Sequence, residues 1–159
     1  MATYQTIEGN NVPHCHVKPN PIFPCAERQY TLAERQESRE NLLALFPNYE
    51  EVRAPSCKYN CHGYALARGH GWFSELEILI NDDFSQVPME EARKGDILVY
   101  QDDKEQFTHS GFVKKVTEGE ISLLRSKMGK SCAVLHDPLD VDETYGEPTL
   151  LLRRRRSPA

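Results

Sequence analysis

A chain of 159 residues, 39% apolar and 27% charged, is long enough for one globular domain and too short for two ordinary ones. This composition excludes a fibrous or wholly disordered protein. The net charge of −5 gives no electrostatic support for binding a nucleic-acid duplex, and no stretch approaches the roughly 20 apolar residues of a membrane helix.

The first ten residues lack a basic start followed by an apolar segment, so no signal peptide is predicted. We therefore expect a cytoplasmic protein as synthesised, while export by a route that reads no N-terminal signal stays open. An odd number of cysteines argues against a closed disulfide framework and indicates at least one free thiol. The five are Cys15, Cys25, Cys57, Cys61 and Cys132.

Residues 1–29 are predicted to form an irregular, extended N-terminal arm. Pro13, Pro19, Pro21 and Pro24 fix backbone angles and remove hydrogen-bond donors. Neither a helix nor a central strand is therefore expected to pass through this region.

The first helix is predicted to follow Thr31, which is a good N-cap and has Glu34 three residues later, in the capping-box spacing. Pro47 ends the helix. An apolar side is expected to cover the core. It consists of Leu32, Leu42, Leu43, Leu45 and Phe46.

A second helix is predicted to begin at Cys61, because Asn60 is among the best N-cap residues. Gly69 and Gly71 are expected to end this helix. Two shorter helical segments are predicted after it, over residues 74–81 and 89–92.

From Gly95 onward the pattern predicts β-strands, and a turn at 117–120 makes an antiparallel hairpin that pairs Val116 with Ile121. The strands are predicted over residues 97–100, 108–116 and 121–126, with edge strands over 133–136 and 149–152. Helices followed by strands indicate an α+β fold over residues 30–152, with N-terminal helices packed on a small antiparallel sheet. Residues 153–159 begin with four arginines and are predicted to be a solvated, frayed basic tail.

Cys61 is the strongest candidate for a reactive residue. A helix N-terminus lowers the pKa of a thiol through its free N–H groups and its dipole, and the thiol also needs a base within reach. His109 lies on the strand predicted over 108–116 and would supply that base. The small neighbours Ser110 and Gly111 would allow a helix and a substrate to approach closely.

Three sequence blocks resemble the papain-like NlpC-type and CHAP-type cysteine amidases and peptidases. They are YNCHGYA at 59–65, KGDILVY at 94–100 and THSGFV at 108–113. In that superfamily a nucleophilic cysteine begins a helix, a Gly-Asp-apolar strand follows, and the base histidine opens the next strand. The resemblance covers residues 55–130 and implies a papain-like fold, with Cys61 as nucleophile, His109 as general base and no cofactor.

The family usually adds a third polar residue that orients the histidine. The predicted hairpin places His109 opposite Met128, with Ser126 two residues along on the same face. His136 is the chemically better choice, and residues 126–146 resemble a less characterised bacterial subgroup. We prefer His136 as the third catalytic residue and keep Ser126 as the second choice.

The residues around Cys61 receive separate roles. Asn60 is expected to cap the helix and to lie near the substrate, and Tyr64 is expected to pack in the core or contact the substrate. The free Cys61 N–H is the better oxyanion donor. His62 lies about 100° around the helix from Cys61 and is expected in a supporting or surface position.

A zinc site is the competing interpretation. The potential ligands are His14, Cys15, His16 and Cys25 in one group, and Cys57, Cys61 and His62 in another. Neither group has the paired short spacings typical of structural zinc sites, so no metal is predicted.

The sequence therefore predicts a cysteine hydrolase that cleaves an amide bond, and the resemblance suggests a peptide of the bacterial cell wall. A deamidase or acyl-transferase toxin domain on the same fold is one alternative, and a non-catalytic binding or immunity-type module is another. The expected partner is a peptide or amide substrate, without nucleic acid or membrane. The oligomeric state is not predicted.

Overall fold

The computed structural model describes residues 2–15, 31–56 and 58–156. Its helices are α1 (Leu32–Leu45), α2 (Cys61–Leu66) and α3 (Glu77–Asp83). Its strands are β1 (Ala2–Gln5), β2 (Asn11–His14), β3 (Glu50–Arg53), β4 (Phe84–Val87), β5 (Ile97–Gln101), β6 (Phe107–Thr117), β7 (Glu120–Lys127), β8 (Ala133–His136) and β9 (Glu147–Arg154). Short 3-10 turns cover Met89–Glu91 and Glu143–Tyr145. The α+β class predicted from the sequence is confirmed.

The main sheet has seven strands in the order β3-β8-β7-β6-β5-β9-β4, and the paired strands are antiparallel. It is larger than predicted, and β8 and β9 are interior strands rather than edge strands. The missed strands are β3 and β4. Residues 50–53 contain only one apolar residue, Val52, and β4 follows α3 without a turn signal, so neither shows the alternation that marks a strand.

The predicted hairpin register is confirmed, because Val116 and Ile121 are partners across β6 and β7. This pairing runs from Thr117–Glu120 to Phe112–Arg125. The first residues of β6 instead pair with β5, where His109 faces Tyr100. The start of β6 is thus the place where α2 approaches the sheet, and α2 contacts both β6 and β7.

Alternate residues of β5 lie on opposite faces of the sheet. Ile97 and Val99 join the cluster formed with Leu66 of α2. Leu98 and Tyr100 belong to a second cluster on the other face. The short helix α2 therefore packs on one face of the central strands.

The N-terminal region departs from the predicted irregular arm. Residues 2–5 and 11–14 form an antiparallel hairpin in which Pro13 is the partner of Thr3. Val12, 2% exposed, enters the cluster that contains α2. A two-stranded sheet has only edge strands, where the missing N–H of proline is tolerated. The remainder of the predicted arm, residues 16–29, lies outside the described residues.

Helix α1 begins as predicted, and the Glu34 N–H donates to Thr31 Oγ1 at 3.1 Å. Its apolar side is only partly used. Leu42 and Leu43 pack beside the core, whereas Leu32 and Leu45 are 81% and 74% exposed. No residue of α1 is buried. Of the shorter predictions, the turn at 89–92 is confirmed, and the helix predicted over 74–81 begins three residues later as α3.

The predicted frayed C-terminal tail is wrong for its first residues. Strand β9 continues to Arg154, and the Arg153 guanidinium pairs with Asp96 at 2.9 Å. Arg154 donates to the Leu66 carbonyl at 2.8 Å, which ties the strand to the end of α2. Arg153 and Arg154 have partners within the fold, so the solvated tail does not begin at residue 153. Within the described ranges, no helix combines the length and apolarity needed to cross a membrane.

Candidate active site

Asn60 fixes the start of α2. Its Oδ1 accepts the N–H of Gly63 at 2.9 Å and that of Phe73 at 3.3 Å, and its Nδ2 donates to the Phe73 carbonyl at 2.7 Å. The predicted cap is confirmed, and Cys61 is the first helical residue. Asn60 is 6% exposed and uses both amide atoms in these bonds, so its role here is to join the helix start to the loop at Phe73.

The Cys61 thiol is 7% exposed and lies at the junction of α2 and the sheet. Burial raises the pKa of Cys61 to about 11. The backbone N–H groups of Ser110 and His62 and the positive charge of Lys127 act in the opposite direction and offset only part of the burial. Backbone N–H groups at the helix start therefore lower the pKa as expected, but the net shift is upward, because desolvation of the thiolate outweighs them.

His109 is fully buried on β6 between aromatic rings. Tyr145 stacks on it with a centroid distance of 4.7 Å, and Tyr100 contacts it at 5.3 Å. Burial, and then the neighbouring His136 and His62, hold the pKa of His109 well below 6.5. The imidazole is therefore neutral at neutral pH, which is the protonation state that a general base requires.

Neither ring nitrogen of His109 has a hydrogen-bond partner among the described residues. The bond to Cys61 expected in a preformed pair is therefore not made. The two residues nevertheless share neighbours: the backbone N–H of Ser110, next to His109, lowers the pKa of Cys61, and Tyr145 both stacks on His109 and interacts electrostatically with Cys61. In enzymes without substrate, catalytic hydrogen bonds are often long and tighten only in the complex.

His136 and Ser126, the two candidates for the third residue, form one bonded pair. Ser126 Oγ lies 2.8 Å from His136 Nε2, and His136 Nδ1 lies 2.7 Å from the Asp137 carbonyl oxygen. Since the carbonyl can only accept, Nδ1 carries the proton and Nε2 accepts from the Ser126 hydroxyl. The His136 ring is 6.2 Å from His109, and neither candidate bonds to the His109 nitrogens.

Gly111 makes room for this pair. A Cβ at Gly111 would lie 2.2 Å from Ser126 Oγ. The small residues beside His109 are expected from the sequence to allow a helix and a substrate to approach closely. The structure gives Gly111 another use, which is to leave space for the hydroxyl that holds His136.

His62 is not a surface residue. It is 6% exposed, its Nδ1 lies 2.9 Å from Ser110 Oγ, and burial lowers its pKa to about 4. The surface position considered for His62 is wrong, because all residues of α2 are buried, including those directed away from Cys61. Tyr64, at 7% exposure, packs edge-on against Phe112 at 5.6 Å, as the core alternative requires.

Lys127 is a site residue that the sequence argument missed. It is fully buried at the end of β7, and its Nζ donates to the carbonyls of Ser56 at 2.7 Å, Tyr59 at 3.3 Å and Gly129. It thereby joins the loop before Cys61 to the turn after β7. A lysine at the end of a polar strand gives no sequence signal of burial, since lysine is almost never fully buried.

The competing metal interpretation gains no support from the part of the chain that the structure describes, where no three His, Cys, Asp or Glu side chains are placed to hold an ion. His16, Cys25 and Cys57 lie outside that part. Cys15 belongs to a disulfide, whereas Cys61 and Cys132 are free thiols. The prediction of at least one free thiol is confirmed.

No protein-family model, curated protein or solved structure matches this chain. The geometry of the described residues is therefore the basis on which a function can be assigned.

Proposed function

We propose that this protein is a papain-like thiol hydrolase in which Cys61 attacks the carbonyl carbon of an amide and His109 acts as general base. One observation carries the proposal. A cysteine begins a capped helix, and a buried, neutral histidine whose ring nitrogens have no partner among the described residues stacks on Tyr145, which also interacts electrostatically with that cysteine.

The arrangement of the elements supports a papain-like assignment. Helix α2 packs on β6, and β5, which follows the Gly-Asp pair at 95–96, lies antiparallel beside β6. His109 is near the start of β6 and Cys61 at the start of α2, which is the order of parts that the resemblance implies.

The protonation states define the mechanism. With a thiol pKa of about 11 and a neutral His109, the resting site holds a thiol and an imidazole rather than an ion pair. His109 takes the thiol proton as the sulfur–carbon bond forms, and backbone N–H groups near Cys61 hold the oxyanion. His109 then gives that proton to the departing amine, and water hydrolyses the thioester.

The narrow access to Cys61 bears on the substrate. A sulfur in a residue that is only 7% exposed favours a slender group, such as an extended peptide or a side-chain amide. A cell-wall peptide fits this description and is what the resemblance suggests. Deamidation or acyl transfer would use the same thioester and differ only in the leaving group and the acceptor.

A non-catalytic binding module is the second candidate. The raised thiol pKa and the absent Cys61–His109 hydrogen bond within the described residues favour it. In that case His109 and Cys61 would be structural core residues. The two candidates differ in whether His109 changes the reactivity of Cys61.

Acylation by p-nitrophenyl acetate, followed by intact mass and peptide mapping, tests the proposal. We expect one acetyl group on Cys61, and His109→Gln should slow its formation about 100-fold, the usual contribution of a general base. Cys132→Ser removes the other described free thiol and is the matched control. Equal acylation rates in wild type and His109→Gln would instead establish the binding module.

A further inference from the structure

Two arginines lie against one tyrosine beside the start of α2. Arg53 of β3 and Arg125 of β7 each place the guanidinium carbon 5.8 Å from the centroid of the Tyr64 ring. Tyr59 stacks on Tyr64 at 5.7 Å, and Lys127 Nζ lies 5.0 Å from the Tyr59 ring. Three positive charges therefore surround a pair of stacked tyrosines.

The two arginines lack a counterion in the described part of the chain. The ion pairs found there are made by other basic residues, and neither Arg53 nor Arg125 has a hydrogen bond to an acceptor in residues 2–15, 31–56 or 58–156. The Nε of Arg125 is buried and has no acceptor among the residues that the structure describes. A buried donor left unpaired costs about 1–3 kcal/mol, so this geometry is expected to be completed by an acceptor from outside the chain.

The cationic group adjoins the nucleophile. Tyr64 is three residues after Cys61 and so lies about one turn along the same side of α2. Helical side chains lean toward the N-terminus, which brings the Tyr64 ring back toward Cys61. Tyr59 precedes Cys61 by two residues. Arg53 is exposed, so the group can be reached from solvent.

We propose that Arg53 and Arg125 form a subsite for a carboxylate group of the substrate, beside the amide that Cys61 attacks. A guanidinium offers parallel N–H donors that match a carboxylate, and an aromatic face holds it in place by cation–π attraction. The substrate class is then an acidic peptide whose carboxylate lies near the scissile bond. This inference rests on the proposed function, which places the subsite beside the scissile amide. The negative charge of the ligand is inferred from the two arginines.

Alkylation with two reagents of different charge tests the subsite. Iodoacetate and iodoacetamide both transfer a carbon to the sulfur, release iodide and leave the thiol proton to solvent, but only iodoacetate carries a carboxylate. We expect the iodoacetate-to-iodoacetamide rate ratio at Cys61 to exceed that at Cys132 about tenfold. Arg53→Gln and Arg125→Gln should each lower the Cys61 ratio several-fold. Arg68→Gln, which removes an exposed arginine beyond the other end of α2, should not.

A binding measurement covers the case in which Cys61 reacts with neither reagent. N-acetyl-L-glutamate should raise the melting temperature of the wild type and of Arg68→Gln, but not of Arg53→Gln or Arg125→Gln, because a ligand stabilises the state it binds. N-acetyl-L-glutamine should have no effect. An equal rise with inorganic phosphate would overturn the carboxylate preference.

The two proposals fail separately. The subsite is wrong if the iodoacetate-to-iodoacetamide rate ratio and the rise in melting temperature are the same in the wild type and in the Arg53 and Arg125 variants. This holds even if acylation by p-nitrophenyl acetate requires His109. If the acylation rate is the same in the wild type and in His109→Gln, while the arginine variants lose the carboxylate effects, the hydrolase proposal is wrong. The carboxylate site is then a binding site.

Discussion

The two helices that begin with a side-chain cap, α1 and α2, differ in almost everything else. Helix α1 has 14 residues, a Thr31 cap and no buried residue. Helix α2 has six residues, an Asn60 cap and every residue buried. The Asn60 amide also bonds to the backbone of Phe73, whereas the Thr31 hydroxyl bonds to Glu34 within its own first turn.

This difference shows how each helix is stabilised. A helix of six residues is far below the length at which isolated helices are stable in water, so α2 depends on its packing against β6 and on the cap. The longer α1 has stronger local signals but lies at the periphery. The conformation of α2, which carries the candidate nucleophile, is thus imposed by the rest of the fold. Substitutions in α2 should therefore destabilise the protein more than substitutions in α1.

Gly63→Ala should have the largest effect. Alanine is the better helix former, yet its Cβ would lie 2.0 Å from the Gly71 carbonyl oxygen and 2.9 Å from that of His70. Because both atoms are backbone, the loop must move, and we expect a loss of about 3 kcal/mol or more in the free energy of unfolding. Urea unfolding followed by circular dichroism measures it.

Glu37→Ala is the matched substitution in α1. Glu37 is exposed, and the change should alter the unfolding free energy by less than about 0.5 kcal/mol. A Gly63→Ala variant as stable as Glu37→Ala would show that α2 does not lie against the loop at residues 70–71.

The second prediction concerns pH. Burial lowers the pKa of His62 from its ordinary 6.5 to about 4, so the unfolded chain binds a proton more readily than the folded one. The resulting stability is fully present above about pH 6.5 and is lost as the pH falls toward 4, roughly 3 kcal/mol for this residue. His109 and His136 have lowered pKa values and act in the same direction.

Unfolding free energies measured from pH 7.5 to 4.5 test this contribution. His62→Gln should make the acid slope shallower by up to about 1.4 kcal/mol per pH unit, since one proton fewer is taken up on unfolding. An unchanged slope would mean that His62 is solvated in the folded protein. His70→Gln, in an exposed residue, is the control for losing a histidine.

Replacing the two cap residues by alanine should lower the free energy of unfolding by different amounts, both smaller than the loss expected for Gly63→Ala. Thr31→Ala should cost about 1 kcal/mol, the usual value for losing one cap bond at an exposed helix end. Asn60→Ala should cost about 2–3 kcal/mol, because it also leaves the buried Phe73 carbonyl without its donor. Equal losses, measured by thermal unfolding, would contradict the tertiary role of Asn60.

The sequence predicted those parts of the fold that local chemistry determines, and it missed parts that depend on tertiary contacts. The hairpin of β6 and β7 and both capped helix starts depend on turn and cap chemistry within a few residues, and these predictions are confirmed. The strand predicted over 133–136 is present, but it lies inside the sheet and not at its edge. Strand β3 and the extension of β9 through Arg154 depend on distant partners. Polar residues there pair with β8, Asp96 and the end of α2, which local pattern cannot reveal.

The site divides in the same way. Sequence order predicted that Cys61 and His109 act as a pair, and it identified both His136 and Ser126 as candidates for the third residue. It missed that the last two bond to each other, that burial raises the pKa of Cys61, and that Lys127 is buried. Burial and side-chain pairing across strands are tertiary properties. The sequence did not predict that two arginines contact the Tyr64 ring, because Arg53 and Arg125 are 72 positions apart in the sequence.

Lys127 gives the last test, because the start of α2 has this cation in addition to its cap. Its charge lowers the pKa of Cys61, although less than burial raises it. Lys127→Met should therefore raise that pKa further and slow iodoacetamide alkylation of Cys61 about tenfold at pH 9. Lys127→Arg keeps the charge and should stay within about threefold of the wild type, even though the guanidinium cannot reproduce the bonds to Ser56, Tyr59 and Gly129. If both variants slow alkylation equally, while Cys132 reacts at its usual rate, then the carbonyl bonds, and not the charge, determine the reactivity of Cys61.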